Sequence, residues 1–101
     1  MIIELSKSDR KDKKFKVVIK KNDKTKTVHF GAKGFSDMTI HKDKKRMERY
    51  IARHKVNENW NKSGIDTAGF WSRYLLWSKP SIEQAIKYIE DKFNVNIIYR
   101  R

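Results

Sequence analysis

Residues 69–80 read Gly69-Phe70-Trp71-Ser72-Arg73-Tyr74-Leu75-Leu76-Trp77-Ser78-Lys79-Pro80, and this stretch decides the fold. Between Phe70 and Trp77 only Ser72 and Arg73 interrupt a run of bulky apolar side chains. A period of 3.6 residues places Phe70, Tyr74 and Trp77 on one side of a helix. It puts Trp71 and Leu75 on the adjoining side and turns Leu76 elsewhere. An apolar cylinder with so narrow a polar seam has to be enclosed. Each large ring buries roughly 150–250 Å². Phe70, Trp71, Tyr74, Leu75 and Trp77 are therefore the expected centre of the core. Thr67 is placed to cap this helix, and Lys79-Pro80 to end it, because a residue before proline disfavours helix.

Downstream, Ser81 and Gln84 have the spacing of a capping box. The helix they open carries Ile82, Ala85, Ile86, Ile89 and Phe93 on one stripe, with Glu83 and Lys87 in the favourable i, i+4 order. Asn94 can close it in a left-handed conformation. Val95, Ile97 and Tyr99 then alternate as a last strand. Glu90 and Asp91 are expected to be solvated.

Upstream, Asn57–Asp66 is a polar loop with a single apolar anchor, Trp60. Trp60 is expected to plug the loop onto the core, with stacking on a nucleobase as the alternative. A helix is predicted over Lys44–Lys55, capped by Asp43. Met47, Tyr50, Ile51 and His54 form its apolar face, and Lys44, Lys45, Arg46, Arg49 and Arg53 cover the rest against a lone Glu48. Phe35–Asp43 reads as an irregular link. Gly31-Ala32-Lys33-Gly34 reads as a turn whose glycines supply positive φ or close backbone approach. Its Gly-x-x-Gly spacing resembles the phosphate-clamping loop of KH domains, but that loop joins two helices, whereas a strand precedes this one.

Phe15, Val17 and Ile19 alternate with Lys16, Val18 and Lys20, and Thr25–Phe30 is rich in β-formers. Together they predict a hairpin turning through Lys21-Asn22-Asp23-Lys24 in a four-residue or slightly longer loop. Ile2–Leu5 predicts a further short strand, and Ser6–Lys14 a solvated loop. The expected architecture is α+β: a small antiparallel or mixed sheet packed against three helices, as a single domain over residues 1–101.

The chain carries 25 Lys and Arg against 12 Asp and Glu, a net charge of +13. That field favours polyanionic partners, nucleic acid first among them. Ten basic and three acidic residues fall between Lys7 and Lys26. The amphipathic basic helix suits a phosphate backbone, although a surface helix docked by its apolar stripe explains the same periodicity. The residues expected to contact nucleic acid are Lys33, Lys44, Lys45, Arg46, Arg49 and Arg53, with the hairpin lysines in support.

The sequence has no cysteine, which excludes disulfides and thiolate metal sites. No apolar run approaches the roughly 20 residues of a membrane span, and the first residues lack a secretory pattern. No P-loop, nucleophile elbow or zincin motif occurs. His29 on a strand and His54 on a helix faintly resemble a ββα-metal nuclease, without its ligand cluster or cysteines. Asp37, His41 and Asp43 match no structural zinc spacing. No catalytic residue, metal or cofactor is expected.

Five segments between His29 and Pro80 carry a resemblance: His29–Gly34 with Asp37, Thr39–Asp43, Arg49–His54, Asn57–Trp60, and Thr67–Pro80. They resemble a family of small basic proteins encoded by nucleocytoplasmic large DNA viruses, the giant viruses and their relatives. Met38, Met47 and Tyr74 depart from that pattern conservatively in size. The resemblance implies viral origin and a place in the virion, host cytoplasm or viral factory, and it carries no activity. Two roles follow as expectations: a virion-associated protein holding nucleic acid, DNA first, through its backbone, or a minor capsid protein bridging other viral proteins.

Overall fold

The computed structural model describes residues 1–101. Four strands, β1 (Ile2–Lys7), β2 (Lys13–Lys21), β3 (Lys24–Ala32) and β4 (Asn96–Arg100), form one mixed sheet in the order β3-β2-β1-β4. Its helices are α1 (Met38–His41), α2 (Lys44–His54), α3 (Ala68–Trp71) and α4 (Ile82–Phe93), with a 3-10 turn at Lys62–Gly64. The α+β class is as the sequence implies, with one helix more. The hairpin is longer and its loop tighter than expected. Lys21 pairs with Lys24, leaving only Asn22 and Asp23 to turn, and Asn22 sits at φ 56°.

Period-two alternation sends Ile3, Leu5, Val17, Ile19, Val28 and Phe30 to one face of the sheet, all buried. The aromatic helix lies against them. It begins as α3, where Thr67 Oγ1 accepts from Phe70 N at 3.3 Å. It then widens into a π-helical stretch over Ser72–Leu76, with Trp77 N donating to Ser72 O at 3.1 Å. The widening corrects the regular-helix reading of Leu76: Tyr74, Leu75 and Leu76 are all buried in succession. The polar seam also has a use. The Arg73 guanidinium donates to Trp77 O at 2.7 Å and Ser78 Oγ to Tyr74 O, satisfying carbonyls at the helix end.

The rings of this helix reach three ways. Trp71 meets Phe30 of β3 at 6.2 Å between centroids and donates its indole N–H to Ile65 O at 2.7 Å. Phe70 and Tyr74 meet Phe93 of α4 at 4.9 and 5.0 Å. Trp77 stacks on Tyr50 of α2 at 4.5 Å with the planes 4° apart. His54 stacks on the far side of Tyr50 and His41 tilts against Trp77, so both histidines cap a ladder of rings. Trp60 is half-buried against the core under Arg73, and its carbonyl accepts from the Tyr74 hydroxyl. That is the plug expected of it.

Helix caps fall where the sequence places them. Asp43 accepts from Lys45 N and Arg46 N, Ser81 Oγ from Gln84 N, and Asn94 closes α4 at φ 55°. The link Phe35–Asp43 is not wholly irregular: Asp37 caps the single turn α1 by accepting from Thr39 N at 2.9 Å. Glu90 is not simply solvated either. Its carboxylate accepts from Ile97 N at 3.0 Å and ties α4 to β4.

Gly31 joins the sheet to the aromatic helix. Its φ is +78°, and a Cβ there would lie 2.8 Å from Leu76 Cδ1. Gly31→Ala should destabilise the protein by about 1–3 kcal/mol through a left-handed strain and overpacking. Leu75→Ala, at a fully buried site, should cost about 2–5 kcal/mol. Urea denaturation of both variants measures these losses.

Burial, with the Glu58 charge adding to it, pushes the Tyr50 hydroxyl up from 10.0 to about 12. A raised folded-state value means that its contribution to stability is complete below pH 10 and is lost as pH rises through about 12. Melting temperatures across that window should fall more steeply for the native protein than for Tyr50→Phe.

Candidate nucleic-acid interface

The five cations of α2 are all exposed, and none of their side chains forms an ion pair or hydrogen bond within the protein. Tyr50 anchors the helix and so fixes where they point. At 100° per residue, Arg46, Arg49 and Arg53 share one flank, Lys45 faces outward, and Lys44 falls on the other flank beside Glu48. The six residues expected at the site are thus not one patch. Three arginines form a row; Lys44 is separate from it.

Arg46 and Arg53 of this row, but not Arg49, line a cleft of about 480 Å³ between α2 and the end of β3, with Lys14, Phe35, His54 and Trp77 among others. Lys33 is exposed on the turn next to this cleft but does not line it, and its backbone N donates to Asp12 O at 3.0 Å. Lys14 is partly spent. Its Nζ lies 2.6 Å from Asp37 Oδ2, and Asp37, only 2% exposed, is further held by Thr39. This buried pair leaves the cleft without a free carboxylate from Asp37.

The hairpin lysines do not all support this surface. On the sheet face away from the helices, Lys16 pairs with Asp9, while Lys20 and Arg100 both approach Glu4. Nearby carboxylates thus offset their charge. Lys21, Lys24 and Lys26 sit at the turn end of the hairpin, about 20–27 Å along the strands from Ala32. There they border a separate cleft of about 800 Å³ with Lys62, and Lys26 pairs with Asp66. Carboxylates thus offset part of the charge on the sheet face away from the helices, while cations gather at both ends of the hairpin. Pairing between strand and loop residues far apart in sequence decides which lysines are free, and no local pattern reveals it.

No group of three or more His, Asp and Glu is close enough to hold a metal ion. His41 Nδ1 accepts from Asp43 N at 2.8 Å, placing its proton on the buried Nε2 beside the Trp77 ring. His29 is occupied with Ser8 Oγ at 2.8 Å. No helix is long and apolar enough to cross a membrane.

No curated protein and no solved structure matches the chain. Residues 3–54, from β1 through α2 and just over half of the sequence, match the model of a family of unknown function (DUF5754), and the chain belongs to that family.

Proposed function

We infer that this protein is a non-catalytic nucleic-acid-binding protein of viral origin that grips a phosphate backbone, DNA first, in a virion or a cytoplasmic viral factory. The observation that carries the reading is the row Arg46, Arg49 and Arg53: three guanidiniums on one helical flank, unpaired, two of them lining a cleft whose one buried carboxylate is already satisfied. Guanidiniums present fixed, forked donors to phosphate oxygens. Lys45 and Lys33 extend the positive surface. The viral setting rests on the resemblance of residues 29–80 to small basic proteins of giant viruses.

Neutralising about six to eight phosphates gives a log K against log salt slope near −5 to −7. Replacing Arg46, Arg49 and Arg53 together with Gln should flatten it by about 3, while Lys20→Gln, beside Glu4 on the far sheet face, leaves it unchanged. Fluorescence anisotropy with a labelled duplex across a salt series reads both. A flat slope for the native protein rejects the proposal.

One observation favours a bridging structural protein as the second reading. Ile2 and Ile98 are exposed, 49% and 42%, on the sheet face away from the helices, and β4 is an edge strand open to strand addition. Pull-down of virion proteins that survives nuclease treatment would support it over the first.

A further inference from the structure

Phe35 is the most exposed aromatic side chain, with 72% of its surface open. A single exposed ring is ordinary on a protein surface. This one is held in an unusual way. Its backbone N donates to Ala32 O at 3.3 Å, and its carbonyl accepts from Lys14 Nζ. Lys14 is itself locked to the buried Asp37 carboxylate at 2.6 Å. The backbone on both sides of the ring is pinned to the sheet, so the ring is presented at little entropic cost. It borders the same cleft as Arg46, Arg53 and His54.

We propose that Phe35 is a stacking platform for an unpaired nucleobase, and that the cleft takes single-stranded nucleic acid in preference to duplex. The inference rests on the phosphate-binding reading above and adds the ligand's form. A π-face beside fixed cations is the combination that single-strand sites use: the ring takes the base while guanidiniums take the flanking phosphates. A duplex keeps its bases stacked inside and offers the ring nothing. An apolar partner protein would also cover Phe35. The unpaired Arg46 and Arg53 beside it, with Asp37 already spent, favour an anionic chain.

The test compares a short thymidine oligonucleotide with a duplex of equal length, using the full chain at matched low salt. Phe35→Ala should weaken single-strand binding about 5- to 150-fold and leave duplex affinity and both salt slopes unchanged. Phe35→Trp should restore binding. Phe35→Leu, which keeps apolar bulk without a ring, should behave like Phe35→Ala. Thermal melts confirm that each variant is folded, as expected for so exposed a position. Equal losses on both ligands, no loss on either, or full rescue by Leu overturns the stacking assignment. If the native protein binds neither ligand at low salt, the phosphate-binding reading falls with it. If it binds both with steep salt slopes and Phe35→Ala changes nothing, only the stacking assignment falls.

Discussion

The structure depends on one crowded helix having three different neighbours to satisfy. Phe70 and Tyr74 close on α4, Trp71 closes on β3, and Trp77 reaches out to Tyr50. A regular helix would spread these side chains around its circumference at fixed intervals. The π-helical widening over Ser72–Leu76 lets three consecutive side chains go into the core instead. Its polar atoms are accounted for: Arg73, Ser78 and Trp71 each spend a donor on a backbone carbonyl. Rings with polar tips are suited to such a centre, because they bury large area and still satisfy the backbone around them.

The same arrangement links core to surface. Tyr50 is the one buried residue of α2, and its partner is the last ring of the central helix. Packing deep in the molecule thereby sets the rotation of a helix whose outer residues are nearly all cations. On the open sheet face charge is partly paired off: Glu4 and Asp9 lie among its basic side chains. Repulsion among the arginines is tolerated because they stay in water, where like charges interact weakly at helical spacing.

Much of this was legible in the sequence, and what was not has physical causes. Strand alternation, the caps Asp43, Thr67, Ser81 and Asn94, and the basic helix are local features carried by a few adjacent residues. The turn α1 was missed because its cap, Asp37, is held by Lys14, a residue 23 positions away. The π-helical stretch was missed because a segment apolar on nearly every side has no phase from which a change of pitch can be read. The cations of α2 are readable one by one in the sequence, but the division of Lys44 from Arg46, Arg49 and Arg53 follows from the docked orientation of α2. Phe35 carries no site signal in the sequence, since an isolated ring on a loop looks the same there whether it is plugged in or presented.

The chain's first and last strands lie side by side. β1 and β4 run parallel, with Ile2 opposite Asn96, and Asn96 N donates to Met1 O at 3.2 Å. Closing that pair brings together segments separated by almost the whole sequence, an arrangement that slows folding because the intervening chain must be ordered first. During synthesis the hairpin and helices can assemble while β1 still has a bare flank. Until β4 has been made and docked, a strip of unsatisfied amides and carbonyls along β1 stays open to wrong partners.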